Sequence, residues 1–503
     1  MTPGRLRSNI VYNIAGQGIP LLLAVVTIPF VTRGLGPERF GVLALAWTFI
    51  GYFTLFDLGF GRSLTQRVAE LLGEGREYDV PAIAWTGTLA TFFLGIFGTG
   101  AILLLADPLV RSVLRIPPEL TSESLRALQV LGLSLPIVLS TNAFRAILEA
   151  YQRFGLVTLV RAPVGAFMFL GPLMVLPFTT RLDIIVGVIV AVRMLAWVLH
   201  GWLCVYVNPA LARPKLPRRQ GAESLLRMGG WLTVSNIISP VLQYADRFLI
   251  GAVVSMSALA YYTTPSEIVV RVLAGPVAIA GVFFPAFATT FKGDPVRTSE
   301  LFSTSVRTVL LILFPMVVLM FVWAETGLRL WVGPEFAAEG TAVARWLLVG
   351  VLFNGLAQVP LALVHGTSRA EITARIHAWE VPFYLLVLWF LLNRFGLPGA
   401  AMAWSLRVTV DAALLFLAST RIVPETRGPV WETTVWSIVA LSLIGAAWWF
   451  VAREELILGL LVPLALGALL GWKGLMRPSW RRAARARVGL TEKRGAHQGP
   501  DGG

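Results

Sequence analysis

Two arginines stand alone where charge is hardest to tolerate. Arg161 and Arg193 each lie well inside a long apolar run, with no Asp or Glu three or four positions away. A guanidinium at that depth needs an anion, water or another helix. It is also a planar donor that can hold phosphate oxygens two at a time. His200 is seven residues from Arg193, roughly on the same helical face. The other deep charges come mostly in pairs four residues apart: Arg145 and Glu149, Glu267 and Arg271, Arg407 and Asp411. That spacing puts both partners on one helix face, where they can neutralise each other. Asp57, Asp246 and Glu380 are the carboxylates left to bind a coupling cation or proton. His377 lies one turn before Glu380. Arg62 and Arg67 can reach headgroup phosphates or anchor topology. The anion-binding candidates are therefore Arg161 and Arg193, then Arg271, Arg407 and Arg62. No motif specifies the coupling ion, and no metal or cofactor is expected.

The elements that must position these residues are membrane helices. The chain has 503 residues, 56% hydrophobic and 14% charged. Apolar runs of about twenty residues recur from Asn9 to Met476, the length that crosses a bilayer. The spacing predicts about fourteen spans, near 9–32, 40–60, 82–106, 125–149, 155–177, 183–207, 226–253, 258–288, 300–323, 341–365, 372–393, 398–420, 432–452 and 455–475. Barrel strands would be shorter and would alternate, so the expected class is an all-α polytopic membrane protein. The first run is too long for a signal-peptide core and reads as a retained span. The net charge of +14 lies in short connectors and the tail, and no nucleic-acid partner is expected. Arginines such as Arg76, Arg153, Arg218, Arg375 and Arg427 fall on one side and far fewer on the other, so both termini are expected in the cytoplasm. Cys204 is the single cysteine, which excludes an internal disulfide.

The longest hydrophilic break, Asn208–Glu223, follows six spans. Asp107 and Glu325 each follow the third span of a set, 218 residues apart. This predicts a first six-helix bundle over 1–207, a cytoplasmic linker over 208–225 and a second six-helix bundle over 226–421. Two extra helices over 422–476 and a basic, mostly disordered tail over 477–503 complete the plan. Two copies with an even number of spans share topology, so their symmetry axis would follow the membrane normal. Many spans carry proline, Pro136 and Pro265 among them. Each removes a backbone hydrogen bond, and the freed carbonyl must be covered by protein or cavity water. Gly36 and Pro37 break the chain between the first two spans, and Gly41 permits close packing on re-entry.

Five stretches carry a family resemblance. Ser8-Asn9-Ile10-Val11-Tyr12-Asn13 precedes Leu35-Gly36-Pro37-Glu38-Arg39-Phe40-Gly41. Asp57-Leu58-Gly59-Phe60-Gly61-Arg62-Ser63-Leu64-Thr65 comes next. Tyr244-Ala245-Asp246-Arg247-Phe248-Leu249-Ile250-Gly251 and Ala260-Tyr261-Tyr262 recur later. The chain resembles the polysaccharide-repeat flippases of the Wzx type, within the multidrug/oligosaccharidyl-lipid/polysaccharide exporter superfamily. The resemblance implies two six-helix bundles around a central cavity and a flippase in the cytoplasmic membrane. Its cargo would be a glycan on polyprenyl diphosphate, moved outward by alternating access. The implied partners are that lipid-linked oligosaccharide, membrane lipids and other polysaccharide-assembly membrane proteins. A multidrug/cation antiporter of the same superfamily is the alternative, although cavity arginines would repel cationic drugs. A polysaccharide polymerase or ligase is a further alternative. Such enzymes use a sizeable external loop, and the longest outside connectors here are under twenty residues.

Overall fold

The computed structural model describes residues 3–55, 59–214, 238 and 241–474, and every regular element among them is helical. The physical reason is the absence of water inside a bilayer. Each backbone N–H and C=O must then be satisfied within its own segment. The first seven helices are α1 (Pro3–Leu55), α2 (Phe60–Gly73), α3 (Val80–Pro108), α4 (Pro118–Leu133), α5 (Leu135–Ala150), α6 (Phe154–Val175) and α7 (Leu182–Val207). Helix α8 occupies 241–253. Then come α9 (Met256–Val269), α10 (Ala274–Thr290), α11 (Pro295–Val322), α12 (Ala324–Trp331) and α13 (Pro334–Gly366). The last are α14 (Ala370–Phe395), α15 (Leu397–Ile422), α16 (Arg427–Val451) and α17 (Leu456–Gly474). Among the described residues, ten helical segments are long and apolar enough to cross a membrane, and they coincide with the third to sixth and eighth to thirteenth predicted spans. The chain is a multi-pass membrane protein. Its first two predicted spans share α1, and α17 offers a shorter apolar stretch, Leu456–Ala468. Most of the 208–225 linker, Asp57 and the 477–503 tail lie outside the described residues.

By internal packing the chain divides into two units. One holds residues 1–269, 325–347 and 373–407, and the other holds 270–324, 348–372 and 408–503.

In the first unit, α1 is interrupted at one residue only. Gly36 has φ 75° and ψ 166°, a left-handed φ that glycine adopts without a Cβ clash. Helix α1 packs along α6 and α9. At Gly41 a Cβ would stand 1.8 Å from the carbonyl oxygen of Met256, so only hydrogen fits there. Helix α2 is an addition to the sequence reading, which drew this stretch as a bare connector. It starts after Gly59 at φ 78° and buries Leu64, Val68 and Leu71 against α3 and α5. Its other face carries Arg67, whose hydrogen bond to Glu70 holds that carboxyl below its ordinary pKa.

The break between α4 and α5 shows how a membrane proline is accommodated. Pro136 has no N–H to offer the carbonyl of Gly132, four residues back. The hydroxyl of Thr99 on α3 donates to that carbonyl at 2.7 Å. Farther along, the Oε1 of Glu123 accepts from Arg39 at 3.1 Å, and its Oε2 accepts from the backbone N–H of Leu182 at 3.0 Å. One buried carboxylate thus ties α1, α4 and α7.

In the second unit, α11 is the central element, packed on α10, α16 and α17. Asp294 caps its N-terminus by accepting from Arg297 N–H at 2.9 Å. Its Phe302 and Phe321 are fully buried and meet Phe416 and Trp448 edge-on or tilted. Arg307 donates to both oxygens of Glu432 at 2.8 and 2.7 Å. Ala447 and Leu443 of α16 are buried, which seats the two extra helices on α11.

Candidate functional site

Helices α5, α6 and α7 pack on one another and carry Arg145, Arg161 and Arg193. The loops between them are short, so the helices run antiparallel. Axial depth then follows from the rise of about 1.5 Å per residue. From the shared end, Arg145 lies about 8 Å in and Arg161 about 10 Å in. His200 is also about 10 Å in, while Arg193 lies about 21 Å in, near the middle of a bilayer. The electrostatics agree with these levels. Arg161 interacts with both Arg145 and Glu149, and His200 interacts with Arg145. Arg161 is exposed and Arg193 is half-buried. Among the described residues the Nε of Arg193 has no hydrogen-bond partner. The Nδ1 of His200 meets the carbonyl of Ala196 at 2.8 Å. Beside them, Trp197 donates to Ser140 Oγ at 2.8 Å and packs on Phe144. The three arginines thus stand at successive depths on three packed helices, a basic ladder.

A second cluster joins residues from α8, α9, α14 and α15. Asp246 is 5% exposed. Its Oδ2 accepts from Tyr262 Oη at 2.5 Å and its Oδ1 from the N–H of Arg247 at 2.8 Å. Arg247 donates to Glu267 at 3.1 Å and to Thr48 at 3.4 Å, with its guanidinium over the Tyr244 ring. Glu380 is buried, and Arg407 Nη1 lies 3.6 Å from its Oε2. The Arg407 guanidinium sits 5.6 Å from the centre of the Tyr384 ring. Asp246 interacts electrostatically with both Arg407 and Tyr384, which joins the two halves of the network. His377 offers a ring nitrogen within 4.8 Å of a Glu380 oxygen. Such a network can hold or move a proton, or exchange a cation for one.

The structure therefore brings together Asp246, Glu380 and Arg407, which the sequence suggested separately. Arg161 and Arg193 fall on neighbouring helices of the basic ladder. Arg62 is exposed in the first turn of α2. Arg271 lies in the 3-10 turn Val270–Leu273, where the helix breaks before Pro276, and belongs to the second unit. Spacing along one helix did pair Arg145 with Glu149, at 3.4 Å. Glu267 takes a partner that spacing did not name, Arg247, and so does Arg407, in Glu380. Tyr262 and Tyr384 were not anticipated as partners. Tyr262 was visible only within the stretch that carried the resemblance.

Comparison with known proteins follows the same lines. The family model described as "Polysaccharide biosynthesis protein" matches residues 6–291. A Shigella flexneri protein described as an O-antigen transporter is 29% identical over 419 residues, which is 82% of this chain and 97% of that protein. The lipid II flippase MurJ in its inward closed conformation superposes with a TM-score of 0.71. The match has 12% identity and covers 93% of this chain and 100% of that one. An inward-facing multidrug resistance MATE family transporter of the MOP superfamily gives a TM-score of 0.67. Its identity is 16%, over 82% of this chain and 99% of that one. The all-helical transporter fold is thus shared with both.

Proposed function

The chain belongs to the polysaccharide biosynthesis protein family, and on that premise we propose that it is a flippase for a polyprenyl-diphosphate-linked oligosaccharide in the cytoplasmic membrane. The observation that carries this reading is the ladder of Arg145, Arg161 and Arg193 on three packed helices. A diphosphate is the part of such a cargo that hydrocarbon refuses most strongly. Guanidinium groups at successive depths give it a path with partners at each level. The sugars cross in a hydrated central cavity while the isoprenoid tail stays in lipid. The O-antigen transporter described for the Shigella flexneri relative supports the same class of cargo.

Alternating access moves the cavity from inside to outside. The two six-helix bundles, 1–207 and 226–421, are the halves that rock, with both termini in the cytoplasm. Asp246 and Glu380, with Asp57 as a further candidate, couple that movement to an ion gradient. A multidrug antiporter would bring cationic drugs against three guanidiniums, which argues against that alternative. The relatives are transporters by description, and polymerase or ligase chemistry has no support among them.

The test is export of surface polysaccharide in a strain lacking the chromosomal gene. Arg161→Ala and Arg193→Ala are each expected to abolish or sharply reduce export at normal membrane abundance. Lys at either position restores it in part, because charge returns without the planar fork. Normal export by both Ala variants would reject the reading.

A further inference from the structure

Between Leu135 and Val207 the acids are Glu149 and Asp183 alone. Asp183 is engaged by Arg126 and Arg181 at the opposite ends of these helices. Glu149 is therefore the single carboxylate that these three helices themselves carry near Arg145. Its Oε1 lies 3.4 Å from Arg145 Nε, with the two side chains 33% and 36% exposed. A settled guanidinium–carboxylate bond is about 2.7–2.9 Å. This pair is looser than that and open to a competitor. Arg161, on the next helix, interacts with the same carboxylate and with Arg145. One carboxylate thus lies in the field of two guanidiniums and contacts one of them. A diphosphate can match both.

We infer that Glu149 is an internal counter-ion: it occupies Arg145 in the empty protein and is displaced by the phosphate groups of the substrate. The inference rests on the flippase reading, since the displacing anion is the diphosphate of the lipid carrier. The carboxylate keeps Arg145 from capturing smaller anions. It also competes for Arg145 once the substrate is aboard, which shortens the bound state. A carrier that binds its cargo too tightly turns over slowly, so the competitor favours release. Glu149 acts through Arg145 and is a positioning residue.

The experiment uses the full chain in nanodiscs with farnesyl diphosphate, a short polyprenyl diphosphate, as the probe. Glu149→Gln is expected to raise probe affinity about tenfold, as removal of a competing charge does. It should slow probe release and lower lipid-linked oligosaccharide turnover in proteoliposomes. Glu149→Asp, with its carboxylate drawn back from Arg145, should raise affinity by less. In the Arg145→Gln background, Glu149→Gln should gain nothing. If both Glu149 variants melt like the parent protein and bind the probe no more tightly than it does, the counter-ion role is overturned. Weakened binding by Arg161→Ala in that event leaves the diphosphate reading standing. Unchanged binding by both Arg161→Ala and Arg145→Gln overturns that reading, and the counter-ion role with it.

Discussion

Gly41→Ala tests whether α1 and α9 meet as closely as described. The added Cβ would stand 1.8 Å from the Met256 carbonyl oxygen and 2.6 Å from its carbon. Both are backbone atoms, so no side-chain rotation can relieve the clash. An acceptable carbon–oxygen contact is about 3.2 Å, so the two helices must part by roughly 1.4 Å at this point. A gap of that size forfeits a large share of the dispersion attraction along the seam. Nothing hydrophobic compensates, because lipid is as apolar as the helix surface it would replace. The cost is expected at about 3 kcal/mol, the upper end of overpacking effects. For a chain of this length, that corresponds to a melting temperature lower by about 3 °C. The assay is thermal unfolding in detergent followed by the surviving monodisperse fraction. Gly100→Ala is the control, since a Cβ there meets nothing within 4 Å. It should hold or raise the melting temperature through helix propensity. A Gly41→Ala protein that melts with the parent protein would refute the close approach.

Other expectations concern single polar contacts. Thr99→Val removes the donor that covers the Gly132 carbonyl and should cost about 1–2 kcal/mol, read as a lower melting temperature. Glu123→Ala strands Arg39 and the Leu182 N–H together and should cost more, about 3 kcal/mol; Glu123→Gln should cost less in the same assay. Asp246→Asn should leave the protein folded but make proteoliposome transport insensitive to an imposed proton or sodium gradient, and gradient-driven transport at the parent rate would remove Asp246 from coupling.

The helical class was legible because hydrophobic run length is a one-dimensional signal. A twenty-residue apolar run needs no tertiary information to be read as a span. Gly41 was legible for a related reason: a small residue just past a chain break marks a close approach, and Met256 proved to be what approaches. Helix α2 was missed because its apolar positions, Leu64, Val68 and Leu71, are interleaved with Arg62, Gln66 and Arg67. The pattern is amphipathic and short, so no hydropathy window long enough for a span detects it. The break at Pro136 could be placed from sequence, but its partner could not. Thr99 lies on another helix, and nothing along the chain points to it.

The same limit explains the charged residues. Four-residue spacing sees partners on one helix only, so it recovered Arg145 with Glu149. The second cluster is assembled from α8, α9, α14 and α15, and its contacts run between residues as far apart as Asp246 and Arg407. There the intrahelical rule named Arg271 for Glu267 and Asp411 for Arg407. It could not anticipate that Arg247 and Glu380 are also within reach. The distinction bears on function. A pair on one helix moves as a unit when helices rearrange and changes little in energy. A pair between helices, such as Arg407 and Glu380, can be made or broken by that rearrangement. A transporter that couples an ion to a conformational cycle needs contacts of the second kind. On the flippase reading proposed above, the basic ladder needs the opposite property, since α5, α6 and α7 keep their guanidiniums at fixed depths while the cargo passes. Arg145 and Glu149 lie on one helix, whereas the Arg407–Glu380 contact of the cluster around Asp246 runs between helices.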